Sequence, residues 1–595
     1  MRLKTKKSPQ LTHITALNYP PLMRAGLLAS LLACVLTLSA CAGNQATNTQ
    51  SSAPAKPNSS ASGELTAEFV YEYLVAEIAG QRGDLGTSSA LFYKLAQNYK
   101  IPSLAERAAK MSAYGKVPGL TVPAIKLWAE LDPQSNEAQQ AMTEIYIATG
   151  KLDEAKPSIA KLLVKEETRA GGFLYLSNLL SKSPDKAASL KLVQSLAAPY
   201  PTLPEAQFAI AQAAYSAKQN TLALQTLDKA NALRPGWDLA TLFKGQILFE
   251  TSPQTAIDFY SQFLAQYPSA NEVRINLAKI LISQKQYSLA KVHFPKLIKY
   301  AKENKDKNVA EITALVGLLS TQVEDYVGAD SYFNQAINLG FKDPDQLNLY
   351  LAQSAEKQNH VSQASALYSK ISSESAHYLE AQIGLANIIA DSQTADKAIA
   401  KLDAIEDLTT EQQIIVIQTQ ANILYRAQRN KESFALLDKA VKNMPNTPEL
   451  MYDYALAAER VKKVDLMEKE LRKVIAAKPN FAAAYNALGY SFADRNIRLN
   501  EAMQLVEKAL SFSPKDYYML DSLGWVHYRK GNLDKAINLL QQAYTANQDP
   551  EIAAHLGEVL WKKGKKDEAK SIWSTTLKAN PKSQVLIDVI RKFAN

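Results

Sequence analysis

The residues able to do chemistry are few, and their spacing matches no reaction centre. Six histidines (His13, His293, His360, His377, His527 and His555) are scattered without the spacing of metal ligands. The chain has no Gly-x-x-x-x-Gly-Lys-Ser/Thr loop to cradle phosphate, no Gly-x-Ser-x-Gly elbow and no His-Glu-x-x-His pair. Carboxylates are plentiful but fall in helix first turns and on solvated faces. The expectation is a chain with no catalytic residue, no cofactor and no metal, hence not an enzyme. Two features remain. One is the thiol of Cys41, preceded by Leu38-Ser39-Ala40. The other is a set of aromatic, amide, guanidinium and carboxylate side chains near the C-terminus: Asn486, Tyr490, Asp521, Trp525, Tyr528, Arg529, Glu558 and Trp561. Aromatic and arginine side chains are the types that anchor protein interfaces, so the chemistry predicted for this set is recognition.

The elements that position them repeat. A small residue returns as Ala90, Ala124, Ala155, Ala188, Ala223, Ala256, Ala290, Ala329, Ala364 and Ala398, then as Ser433 and Met467, then as Ala502, Ala536 and Ala569. A period near 34 residues marks a helical repeat array. The unit is clearest toward the C-terminus, where Leu488-Gly489, Leu523-Gly524 and Leu556-Gly557 each precede a marker alanine on a predicted first helix. Turns such as Gly531-Asn532-Leu533-Asp534 and Gly564-Lys565-Lys566-Asp567 follow, and Gly150-Lys151-Leu152-Asp153 repeats the pattern upstream. Glycine closes the first helix by accepting positive φ. The acids then lie in the first turn of the second helix, where its dipole favours negative charge. Pro235, Pro268, Pro445, Pro479, Pro514 and Pro581 end units. Gly489, Gly524, Gly557 and the alanines let backbones approach, while Leu488, Leu523, Leu540, Leu556 and Trp573 fill the core. No unit buries its apolar face alone; stacking does that.

These Leu-Gly, Ala and Pro positions resemble the tetratricopeptide repeat. The resemblance implies an all-α, right-handed superhelical solenoid of about 15 hairpins, over residues 65–595. In that architecture first helices line a concave groove, and the eight residues named above are expected to point into it. The repeats divide by regularity into residues 64–300, a degenerate stretch 301–480 and a sharp C-terminal set 481–595. Residues 299–308 read as an extended charged loop or helix end. A bend or looser joint is expected at Ser433, at Met467 or in the long unit between Ala290 and Ala329.

Residues 1–40 read as a targeting segment. Arg24 precedes an apolar run, residues 25–38, too short for a comfortable membrane span. Leu38-Ser39-Ala40-Cys41 resembles the bacterial lipobox, in which small residues precede the cysteine that receives lipid. The long stretch ahead of Met23-Arg24 leaves open whether translation begins at Met1 or Met23. Residues 42–63 lack apolar periodicity and read as a tether; a coil of this length spans on the order of 25 Å r.m.s. and at most about 75 Å. Ala42 stands where an inner-membrane lipoprotein often carries Asp, which by resemblance favours the periplasmic face of the outer membrane.

Charge and cysteine usage agree with this division. The chain carries 67 Lys+Arg against 58 Asp+Glu, formally +9. Five cations and no acids lie in residues 1–40, so the remainder carries only +4. That near balance gives no support for nucleic-acid binding. With Cys34 in the leader and Cys41 acylated, no intrachain disulfide or cysteine metal site is expected.

Stretches at both ends are more distinctive. Glu72-Tyr73-Leu74-Val75-Ala76-Glu77, Leu127-Trp128-Ala129-Glu130-Leu131, Leu488-Gly489-Tyr490-Ser491-Phe492 and Leu520-Asp521-Ser522-Leu523-Gly524-Trp525 look like a proteobacterial family of long tetratricopeptide lipoproteins. That family includes the lipoprotein partner of a periplasmic carboxy-terminal processing protease. The resemblance implies an adaptor that holds such a protease and its peptidoglycan-hydrolase substrates together, with residues 66–109 engaging the protease and the groove engaging substrates. The alternative is a structural lipoprotein of an envelope machine for exopolysaccharide export, pilus assembly or outer-membrane biogenesis. The anchor has its own test: Cys41→Ser is expected to abolish incorporation of labelled palmitate and to release the protein from membranes, whereas retained label would overturn the lipidation reading.

Overall fold

A computed structural model describes residues 66–593. The leader, Cys41 and the tether lie outside the described residues. Among those described, every regular element is helical, and none is long and apolar enough to cross a membrane. The chain divides into two compact units, which meet in sequence between Leu347 and Asn348. This partition differs from the three stretches distinguished by repeat regularity.

In the first unit, helices follow one another in packed pairs, from Ala67–Gln81 with Leu85–Tyr99 to Val309–Gln322 with Tyr326–Asn338. In the second, pairs run from Pro344–Lys357 with Val361–Lys370 to Pro550–Lys562 with Lys566–Ala579, and a single helix, Gln584–Phe593, closes the array. Among the described residues there are fifteen pairs, as the period predicts. The last helix buries Leu586 and Val589 and turns Asp588, Arg591 and Lys592 outward. This is the polar outer face that a terminal repeat needs.

The marker position is sharper in structure than in sequence. It is always the fourth residue of the second helix, and all fifteen occupants are buried. Two assignments are corrected. Ala90 is exposed and Ala188 half-buried, and the fourth residues of those helices are Ser88 and Ser189. Serine suits the position because its hydroxyl finds a backbone acceptor: Ser88 Oγ donates to Ala76 O at 2.6 Å, and Ser433 Oγ donates to Ala421 O at 2.9 Å. Both acceptors lie on the first helix of the same pair.

One turn further along the second helix stands the residue that fills the gap over the first helix. Leu540 lies against Gly524, where an added Cβ would be 2.7 Å from Leu540 Cγ. Trp573 covers Gly557, Tyr260 covers Gly245 and Phe333 covers Gly317 in the same way, whereas Tyr368 covers Gly384 on the first helix of the following pair. Each bulky side chain thus enters a hole that only glycine leaves open.

The long unit contains a real irregularity. Its second helix breaks into Tyr287–Lys291 and Phe294–Glu303 because Pro295 can neither donate a helical hydrogen bond nor tolerate the carbonyl four residues earlier. The charged stretch after residue 299 is mostly helix end, with Lys305 at φ 52° turning the chain. At Ser433 and Met467 the expected irregularity is absent. Both helices are continuous and both side chains are buried, one bonded to backbone and the other filling space as a flexible thioether.

Packing and helix propensity oppose each other at the glycines. Gly557→Ala gains about 1 kcal/mol of helix propensity but drives a methyl into the Trp573 ring, and overpacking of this kind costs about 1–3 kcal/mol. The expected result of chemical denaturation is a net loss of stability. Gly171→Ala, in a helix with nothing within 4 Å of the new methyl, is expected to gain about 1 kcal/mol.

Candidate protein-binding face

The eight recognition candidates stand on three successive first helices: Ala482–Asp494, Tyr517–Arg529 and Pro550–Lys562. Local chemistry fixes where two of these begin. Asp516 Oδ1 accepts from Tyr518 and Met519 N–H at 2.9 and 3.0 Å, and Asp549 Oδ1 accepts from Glu551 N–H at 2.8 Å, with Pro550 at the first helical position. Leu488, Leu523 and Leu556 are buried, and the glycines beside them meet the second helices. The candidates occupy other faces of these helices.

Six of the eight come together, around a residue that sequence reasoning passed over. His555 Nδ1 donates to both carboxylate oxygens of Asp521 at 3.0 Å. Its ring stacks on Trp525 with centroids 4.0 Å apart. Tyr490 Oη lies 3.5 Å from His555 Nε2 and also 3.5 Å from Glu551 Oε1, to which it donates. On the far side of Trp525 the Tyr528 ring lies at 4.9 Å and the Arg529 guanidinium at 4.9 Å. Arg529 Nη2 donates to Asp494 O at 2.9 Å, reaching the preceding first helix. Tyr528 Oη donates to Glu558 Oε1 at 3.0 Å, reaching the following one, and Lys592 Nζ pairs with Glu558 at 3.2 Å.

Burial corrects part of the expectation. Tyr490 and Trp525 are 5% exposed and Asp521 is wholly covered, because the neighbouring first helix closes over them. They form the floor of the face. Asn486, Tyr528, Arg529, Glu558 and Trp561 stay partly accessible. Trp561 belongs elsewhere: it stacks on Trp573 at 5.8 Å and meets Phe593 at 6.3 Å, as part of the closing cap. His527 is buried on its own helix, and burial lowers its pKa. The other groups missed were Glu459, Ser491, Arg495 and Glu551. Ser491 Oγ donates to Glu459 Oε1 at 2.5 Å, and Arg495 Nε donates to Ser491 O at 3.0 Å, which extends the network toward the helix Pro448–Arg460.

The electrostatics are set by pairing inside a poorly solvated face. Burial pulls the His555 imidazole down, but the Asp521 carboxylate, with Glu551 and Glu558 nearby, outweighs it and holds the group up at about 9. Burial raises the Asp453 carboxyl to about 6, offset only in part by the 2.7 Å hydrogen bond from Gln418 Nε2. Burial also raises Glu459 above the usual carboxylate range. No group of three or more potential metal ligands occurs among the described residues.

With this geometry in place, comparison with known proteins is informative. Residues 527–586, which include His555, Tyr528, Arg529 and Glu558 but not Tyr490, Asp521 or Trp525, match the tetratricopeptide repeat family profile. Those residues carry a tetratricopeptide repeat. It is 27% identical over 498 residues to the TPR repeat-containing protein PA4667 of Pseudomonas aeruginosa, covering 83% of each chain. Among solved structures it is similar to yeast Tom70, at 15% identity and a TM-score of 0.37, covering 71% of this chain and 96% of that one. It is also similar to TTC0263, a thermophilic TPR protein of Thermus thermophilus, at 23% identity and a TM-score of 0.28, covering 30% and 97%.

The buried pair makes a pH-dependent contribution with a definite sign. His555 has a folded pKa of about 9, above its ordinary 6.5. Its stabilisation is therefore full below pH 6.5 and lost as pH rises through 9. Asp521→Asn is expected to destabilise the protein by about 3–5 kcal/mol at pH 7, with a smaller difference above pH 9. In an NMR titration His555 should then ionise below 6.5 in the variant.

Proposed function

We propose that this repeat protein is a scaffold anchored by lipid to the outer membrane and facing the periplasm. It binds proteins through its first-helix face and brings a carboxy-terminal processing protease together with peptidoglycan hydrolases. The observation that carries the binding role is the continuous aromatic and guanidinium network across successive first helices, centred on Trp525, Tyr528 and Arg529. The anchor and the compartment rest on residues 24–42 of the sequence. The protease rests on the resemblance at both ends of the chain.

A second surface suits the protease. The helix Ala67–Gln81 exposes Val70, Tyr71, Leu74 and Ile78 along one side, at 46, 69, 53 and 48%. Glu77, beside Val70 on one edge of the stripe, pairs with Arg107 at 2.5 Å. An exposed apolar band of this kind suits another protein's apolar face. Two surfaces on one tethered chain raise the effective concentration of one partner near the other without new chemistry.

Co-purification from envelope extract tests this reading. The wild-type chain should recover a processing protease and at least one cell-wall hydrolase. Leu74→Asp with Ile78→Asp should lose the protease while keeping the hydrolase, and recovery of neither by the wild type would overturn the proposal.

A further inference from the structure

Positive charge is spread unevenly along the chain. Residues 561–595 hold eight lysines and one arginine against Asp567, Glu568 and Asp588, formally +6. The chain beyond residue 40 carries +4 in all, so residues 41–560 stand at −2 and the whole excess lies at the closing end of the array. Four of the nine cations have acids of their own. Lys563 reaches Asp534 at 2.9 Å, Lys565 reaches Glu568 at 3.0 Å, Arg591 reaches Asp588 at 3.4 Å and Lys592 reaches Glu558 at 3.2 Å. Lys562, Lys566, Lys570, Lys578 and Lys582 are exposed and form no ion pair among the described residues. The fold gathers three of these five. Lys566 and Lys570 Nζ lie 5.2 and 5.8 Å from the centre of the Trp561 ring, and Lys562 Nζ lies 5.8 Å from that of Phe593, where Lys592 joins it at 4.5 Å. The two rings are 6.3 Å apart, and both stack on Trp573. Four ammonium groups from three helices thus crowd around one aromatic pair. Like charges four residues apart on a helix, as at Lys566 and Lys570, weaken it, so folding stability does not account for the arrangement.

We infer that this end of the protein lies against an anionic phospholipid surface, with Lys562, Lys566 and Lys570 among the headgroup phosphates. The residue types favour lipid over an acidic protein. The uncompensated cations are all lysine, and the single arginine of the stretch is already paired. Arginine is the group that reads a fixed carboxylate or phosphate in two-pronged geometry, whereas lysine is a point charge on a flexible stem. Protein interfaces are accordingly poor in lysine. A fluid layer of headgroups offers many phosphates in no fixed geometry, which suits several mobile point charges. The partly accessible Trp561 and Phe593 between them are of the type that settles at a membrane–water boundary. This goes beyond the scaffold reading and does not need the lipid on Cys41. Where the chain is also tethered, the contact becomes intramolecular and a weak affinity suffices.

The test is sedimentation with vesicles of phosphatidylcholine alone or with about 30% phosphatidylglycerol. The protein is residues 42–595, which keep every described residue and lack the leader and the acylated cysteine. The wild type should bind the anionic vesicles and not the neutral ones. Each lysine at such a surface is worth about fivefold in affinity, so Lys562→Gln, Lys566→Gln and Lys570→Gln together should weaken binding about a hundredfold. Their melting temperature should not fall, because the substitutions relieve repulsion. Lys151→Gln, Lys156→Gln and Lys161→Gln remove the same charge from exposed positions elsewhere and should change affinity by less than about twofold. Raising salt from about 0.05 to 0.5 M should release the wild type. Equal binding to both vesicles, unchanged binding by the first triple variant or an equal loss in the second would overturn the inference. Tighter binding to soluble polyglutamate than to vesicles would overturn it in favour of an acidic protein partner. Failure of the wild type to bind also overturns it. The anchoring and scaffold readings survive that result, since palmitate labelling and co-purification test them separately.

Discussion

The close approach of two helices within each pair is the constraint on which everything else in this protein rests. It is enforced at one place, the fourth residue of every second helix, where alanine, serine or methionine is buried in all fifteen pairs. One turn later a bulky side chain enters a glycine hole in the first helix, as Leu540 does at Gly524 and Trp573 at Gly557. Small residue and knob together fix the separation and the rotation of the first helix. Rotation decides function here, because it determines which face of the first helix is left over for a partner.

The candidate recognition face follows from that arrangement. With successive first helices held at a common rotation, Asp521 and His555, 34 residues apart, arrive at the same height on neighbouring helices. The carboxylate and imidazole pair, Trp525 is pressed onto the ring, and Tyr490 closes the far side. The ion pair is sheltered enough for Asp521 to override the burial penalty on the histidine. It ties the first helix of one hairpin to that of the next.

Much of the architecture was legible in the chain. The repeat period announced the hairpins, and Gly150, Gly531 and Gly564 do turn the chain with φ of 75, 83 and 91°. The long gap between Ala290 and Ala329 announced an irregular unit, and the structure breaks its second helix at Pro295. Two readings went astray for one physical reason: what matters at the marker position is a side chain that packs fully and leaves no polar group unpaired, not alanine itself. At the first and fourth hairpins an alanine stands close to a serine, and the serine is buried because its hydroxyl can bond to backbone. Ser433 and Met467 looked like weak joints on the same mistaken premise, and both are well packed. Of the site, six of the eight residues chosen as interface anchors come together, with Tyr490, Asp521 and Trp525 as floor, while Trp561 is part of the cap. His555 was overlooked because a lone histidine carries no local signature of its partner.

The sequence by itself determined the periodic hairpin, its turns and the helix faces available to pack, since these depend on residues within about one repeat of each other. It also determined the absence of any motif for cofactor or phosphate chemistry. The tertiary structure alone decided which side chains of the recognition set are buried and that Asp521 and His555 are paired. These depend on contacts between residues on different first helices, brought together only when one hairpin stacks on the next. Periodicity announces that such stacking occurs. The distances it produces belong to the folded chain.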